Sequence, residues 1–275
     1  MIRNEGHPNM KNLAIIGCGA LGKILARNLS RAVPNSYYIT CVMAKTYEHA
    51  AALAEEIDCA ATTDIEELLD YKPDIVVEIA SHEAVHQYSE RILESGADLL
   101  IVSVGALGEE NFKERLMEVA RDNNRKIYVA NGAVGGFDLM QTISLMGTEE
   151  VTITSYKEPT GLNGAPYLKG QILPEDHEEV VFEGDAIDAI HGFPNNVNVA
   201  IATTLASRFP KTKVIIHSVP GLKENRHTIE LGCDHLHATI SVRSFPNPEH
   251  PINSEATAYS VLAMLRNIAS VIHYF

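Results

Sequence analysis

Residues 225–227, Asn-Arg-His in the stretch ENRHTIELG, place an imidazole early in an alternating, strand-like segment. Histidine is the side chain whose ordinary pKa suits proton transfer at neutral pH. His227 is therefore the candidate general base, with an imidazole expected to titrate near neutrality. Upstream, GFPNNVNVA brings Asn195, Asn196 and Asn198 to the start of an apolar helix. One amide can cap that helix; three exceed the need, which makes Asn196 and Asn198 candidates for touching a ligand. Lys157, Asn225 and Arg226 are donors of the kind that hold carboxylates.

A second group of residues suits a phosphate. In NLAIIGCGALGKILARNLS, the apolar run Leu13–Ile16 leads into Gly17, Gly19 and Gly22, spaced G-x-G-x-x-G, and then into apolar residues at helical spacing. Gly17 permits the tight turn, Gly19 lets the backbone approach a pyrophosphate, and Gly22 lets helix and strand lie close. Gly19, Ala20, Leu21 and Gly22 then offer backbone N–H groups at a helix N-terminus, where the dipole favours anions. The acidic residue expected on the ribose about 20 residues further on is absent; Ala44 and Lys45 stand there. Lys45 could face a 2′-phosphate, so NAD and NADP both remain open. Three further segments follow apolar runs: Ser81 after PDIVVEIA, SVGALG at 103–108, and NGAVGGFD at 131–138 with Ala133 at its centre. Ligands of open α/β sheets gather beyond such strand ends.

The elements around these residues divide the chain. Up to about residue 132, short apolar strands alternate with amphipathic helices, among them a strand at Tyr37–Met43, a helix at Tyr47–Ile57 and a helix opened by Asp64. That alternation predicts a Rossmann-type, doubly wound parallel sheet. From 133 to 253 the pattern changes to alternating strands, EVTITSYKE, VVFEGDA, KVIIHSV, NRHTIELG and HATISVRSF, with helices between some of them. This predicts an α+β substrate domain with a mainly antiparallel sheet. The last segment, 254–275, has helical spacing and is expected to return to the first domain.

Composition narrows the function. The 275 residues carry 22 Lys plus Arg against 36 Asp plus Glu, a formal charge of −14. A chain so acidic lacks the basic footprint of a nucleic-acid binder. Its four cysteines are scattered and read as buried thiols of a reducing compartment. No run reaches the roughly 18 apolar residues of a membrane helix, and the first ten residues do not read as a signal peptide. A cytoplasmic protein is expected, with no metal site: His235 and His237, read as lying two apart on one strand, lack a third ligand.

Taken together, GCGALG, SVGAL, NGAVGGFD, EGDAIDAIHGFPNNVNVA, ENRHTI and NPEHPINSEATAYSVLAMLRNI resemble the L-aspartate dehydrogenase family, over nearly all of the chain after Lys11. The resemblance implies oxidative deamination of L-aspartate to iminoaspartate, and then to oxaloacetate and ammonia, with NAD or NADP as acceptor. It also implies a possible supply of iminoaspartate to NAD biosynthesis. The family's catalytic histidine falls on His227. Its nicotinamide contacts fall on Ala133 and on Asn198, with Asn196 as the neighbouring candidate. Asn196, Asn225 and Lys157 are the expected substrate-binding residues, and a homodimer the expected assembly. The sequence departs from the family at Asn131, at Glu158 and at Ile252, where serine, proline and lysine are usual. Two alternatives stay open: an NAD(P)-dependent oxidoreductase acting on another small amino acid, and a non-catalytic nicotinamide-nucleotide sensor.

Overall fold

A computed structural model describes residues 10–194, 198–245 and 255–274. The chain divides into two compact units, one spanning residues up to Ala130 together with Thr257–Tyr274, the other Asn131–Ala256.

The first unit begins with β1 (Lys11–Ile16), α1 (Ala20–Ala32), β2 (Tyr37–Met43), α2 (Tyr47–Ile57), the short β3 (Ala60–Thr62) and α3 (Ile65–Asp70). It continues with β4 (Ile75–Glu78), α4 (His82–Glu94), β5 (Asp98–Ile101), α5 (Glu110–Asp122) and β6 (Ile127–Val129). All six strands pair in parallel, in the order β3-β2-β1-β4-β5-β6. Apolar strands buried on both faces are what a parallel sheet between helices requires: Leu13, Ala14 and Ile15 of β1 and Val76 and Val77 of β4 are 0% exposed. The order reverses between β1 and β4, the switch point at which such sheets bind dinucleotides.

The last helix, α9 (Glu255–Ala269), belongs to this unit. Val261, Leu262 and Leu265 are buried in the same core as Leu13, Ile15 and Tyr37, and the Tyr37 hydroxyl donates to the Leu265 carbonyl at 3.2 Å.

The second unit comprises α6 (Phe137–Met146), β7 (Glu150–Lys157), β8 (Glu179–Asp185), α7 (Ala186–Gly192), α8 (Asn198–Ser207), β9 (Lys213–Ser218), β10 (Asn225–Cys233) and β11 (Leu236–Ser244). Its five strands run β11-β10-β7-β9-β8. The β7–β9 pair is parallel and the other pairs antiparallel, so the sheet is mixed. Helix α6 packs on β10 and helix α8 on β7. Strand residues alternate between faces, and the register aligns Ile240, Ile229, Ile153 and Val214 as an apolar row across four strands. Gly136, at φ 76°, opens α6 against that row: a Cβ there would lie 2.5 Å from Ile240 Cδ1. No described helix is long and apolar enough to cross a membrane.

Candidate functional site: a glycine turn and a polar sheet level

In the first unit the turn after β1 is shaped by close backbone contact. The Gly17 N–H donates to the Met43 carbonyl at 2.8 Å, joining the ends of β1 and β2. Gly17 sits at φ 118°, and a Cβ on it would lie 2.6 Å from the Ile79 carbonyl oxygen. A Cβ on Gly22 would lie 1.9 Å from the Gly17 carbonyl oxygen, so α1 can approach the turn only because residue 22 is glycine. At Gly19, by contrast, a Cβ would meet nothing within 4 Å. Gly19 caps α1 without a side-chain hydrogen bond, and the first turn holds no acidic residue. The N–H groups that open the helix therefore have no side-chain cap at its positive end, which fits a dinucleotide pyrophosphate. Ala20 and Leu21 begin that turn, and Lys45 is exposed two residues beyond β2.

Two other strand ends of this sheet are tied together by a residue that sequence reasoning missed. Glu78, the last residue of β4, is 1% exposed. Its carboxylate accepts from the backbone N–H groups of Ala80 (2.8 Å) and Ser81 (2.9 Å), and from the Ser103 N–H (3.0 Å) and hydroxyl (2.9 Å). Burial raises its pKa while these donors pull it down. The signal in the sequence was a lone carboxylate inside the apolar run IVVEIA. Ser81 itself caps α4, its hydroxyl accepting from the Ala84 N–H at 3.2 Å.

In the second unit the apolar row of the helix-covered face gives way, along the strands, to polar levels. One step on, His227 of β10 lies opposite Ser155 of β7. His227 is 4% exposed, and its Nδ1 lies 2.9 Å from the Ser155 hydroxyl. The next level holds Lys157, opposite Ser218 of β9, and Asn225, opposite Ser244 of β11. Lys157 is half-buried, and burial pulls its pKa down to about 8. Burial, and then the nearby Lys157 charge, push the His227 pKa down to about 3. This corrects the expectation of a neutral-range imidazole: a positive charge on a ring already out of water and close to an ammonium is strongly disfavoured.

Arg226 is also corrected. Successive strand residues point to opposite faces, so Arg226 lies on the face away from His227. There its guanidinium sits 3.9 Å from the centroid of the Tyr156 ring, and Tyr156 stacks on His217 at 4.6 Å. It does not join Lys157. Likewise His235 falls in the turn before β11 rather than on a strand with His237. Among the described residues, no three His, Cys, Asp or Glu side chains gather as metal ligands.

Residues 138–268 match the family described as aspartate dehydrogenase, C-terminal, and residues 17–130 the one described as homoserine dehydrogenase, NAD binding domain. The L-aspartate dehydrogenase of Methanocaldococcus jannaschii is 32% identical over 262 residues, which cover 94% of this chain and 97% of that protein. This chain belongs to the L-aspartate dehydrogenase family. The L-aspartate dehydrogenase of Methanosarcina barkeri is 34% identical over 270 residues, covering 95% and 98% of the two chains. The crystal structure of aspartate dehydrogenase from Thermotoga maritima superposes with a TM-score of 0.75 at 27% identity, covering 96% of this chain and 99% of that one. Membership brings an NAD(P)-dependent oxidoreductase activity on the CH–NH2 group of L-aspartate.

Within this aspartate dehydrogenase family member, the register gathers His227, Ser155, Lys157 and Asn225 on one face of one sheet. Asn198 is the first residue of α8 and half-buried, and Ala133 is half-buried in the loop before α6. Asn195 and Asn196 lie outside the described residues. Ser155 and Ser218 were not foreseen. Their relevance comes from cross-strand register, which no spacing along the chain reveals.

Proposed function

We propose that the chain oxidises L-aspartate to iminoaspartate with His227 as the proton acceptor, Lys157 and Asn225 as substrate-binding groups, and the Gly17–Gly22 turn, with Ala20 and Leu21, as the coenzyme cradle. Ser81, Ala133, Asn198 and Lys45 complete the coenzyme contacts in this reading, and Asn196 assists with the substrate. The observation that carries it is the pairing, on one sheet face, of a buried neutral imidazole with a half-buried ammonium that has no acidic partner among the described residues.

A nicotinamide held by the cradle supplies the hydride acceptor for the aspartate α-carbon. The remaining work falls to side chains. Aspartate carries an ammonium and two carboxylates, and the ammonium must lose a proton before its carbon can give up hydride. The base role requires Nδ1–H of His227 to donate to Ser155, leaving the Nε2 lone pair free for that proton. Burial is the larger cause of the depressed imidazole pKa and the Lys157 charge the smaller. A carboxylate placed beside Lys157 offsets that smaller part, so substrate binding moves the basicity of its own acceptor upward. The protonated ring then releases that proton to solvent; neutral again, it can take a proton from the water that adds to the imine carbon and pass it to the departing ammonia. Proton transfer of this kind contributes on the order of 10²–10⁴-fold.

The same reading makes the protein a cytoplasmic homodimer whose iminoaspartate serves NAD biosynthesis. The test is formation of reduced coenzyme, followed at 340 nm, with L-aspartate against glutamate, alanine and homoserine. His227→Ala should keep coenzyme affinity and lose at least about a hundredfold in kcat. Near-normal turnover in that variant refutes the assignment of the base.

A further inference from the structure

The polar level beyond His227 contains two buried hydroxyls with no hydrogen-bond partner among the described residues. Across four strands the register sets Ser244 opposite Asn225, and Lys157 opposite Ser218. Arg226 pairs with Tyr156, so Asn225, one residue further, falls beside Lys157. Ser218 is 0% exposed, yet its Oγ has no hydrogen-bond partner among the described residues, and neither does the buried Oγ of Ser244. Glu179 of β8 follows Ser218 in the register and hydrogen-bonds none of these side chains.

Native proteins leave few buried hydroxyls unpaired, because an unpaired one forfeits its water without recompense. Alanine at 218 would fill the same space without that loss. A serine there, beside an ammonium and an amide, forms a level of donors that matches an anion with several acceptor oxygens.

We propose that Ser218 is a specificity-determining residue for the substrate: its hydroxyl donates to the carboxylate that Lys157 holds, with Asn225 and Ser244 extending the same row. The inference rests on the reading of Lys157 and Asn225 as substrate-binding and adds the residue that makes their level selective for a carboxylate.

Ser218→Ala is the test, with succinate as a non-reacting dicarboxylate probe. The KM for L-aspartate and the Ki of succinate should each rise about tenfold or more, the loss expected for a hydrogen bond to a charged group. The fall in kcat should stay within about threefold, coenzyme affinity should be unchanged, and the melting temperature should hold or rise. Ser244→Ala should act in the same direction. KM and Ki within about twofold of the parent would overturn the proposal, as would a rise accompanied by a lower melting temperature, which marks a packing role. If the parent protein forms no reduced coenzyme with aspartate, the functional reading fails. Calorimetric succinate binding that is weakened by Ser218→Ala would still support the anion row, and equal binding would refute it.

Discussion

Lys157 makes a prediction with a defined pH. Its ammonium is depressed to about 8 by burial, and holding a carboxylate requires the charged form. Succinate stays a dianion from pH 7 upward, and His227, depressed to about 3, is neutral throughout that range. Binding should therefore be level around pH 7, then weaken about tenfold by pH 9 and about a hundredfold by pH 10, one decade for each unit above the lysine pKa. Lys157→Met should bind weakly at every pH with no break, because the titrating charge is gone. Lys157→Arg should remove the break while keeping most of the affinity, since a guanidinium stays charged past pH 10. The measurement is the succinate Ki against aspartate, or direct calorimetry, from pH 7 to 10. A parent profile flat to pH 10, or a break near 8 that survives in Lys157→Met, would show that Lys157 does not hold the anion.

The glycine turn separates fold from function. Gly22→Ala, whose Cβ would lie 1.9 Å from the Gly17 carbonyl oxygen, should displace α1 and lose both melting temperature and coenzyme affinity. Gly19→Ala, facing open space, should melt like the parent yet bind reduced coenzyme at least about tenfold more weakly by fluorescence titration, because the added methyl occupies the phosphate's approach. His227 predicts acid sensitivity. Its folded pKa, about 3, lies below the unfolded value of about 6.5. The unfolded chain thus takes up a proton between those limits that the folded chain refuses, and stability falls as pH drops through that window by up to about 1.4 kcal/mol per unit. Urea midpoints of the parent and of His227→Asn from pH 7 to 4 should diverge by this slope; parallel curves would rule out a buried neutral imidazole. Glu78→Gln replaces an acceptor oxygen with an amide nitrogen among N–H and O–H donors, and should cost about 1–3 kcal/mol of stability by the same urea assay.

Much of this was legible because steric and periodic demands act locally. The limits of β2 and α2, the start of β7, and the capping role of Asp64, whose carboxylate accepts from the Glu66 and Glu67 N–H groups, follow from apolar spacing and turn chemistry. The three-residue β3 and the short α7 gave no comparable signal, since a few residues cannot show a period. The parallel β7–β9 pairing was hidden too, because alternation marks a half-exposed strand without revealing its neighbour's direction. The misplacement of Arg226 was avoidable: adjacent residues on a strand cannot share a face. The depressed His227 pKa was not, because it depends on Lys157 of another strand and on burial set by the whole unit. Ser155 and Ser218 became visible only once β7, β9 and β10 were in register.

One consequence concerns how the chain acquires its shape during synthesis. The core around β1 and β2 incorporates Val261, Leu262 and Leu265 of α9, which a ribosome makes only after every strand of the second unit. Nascent chains ordinarily complete their leading domain first. Here the leading unit keeps an uncovered apolar flank until the trailing helix emerges, so the whole intervening unit can fold before its predecessor is sealed. Any change that delays docking of α9 should therefore be felt as aggregation of the first unit, although the altered residues lie far along the chain.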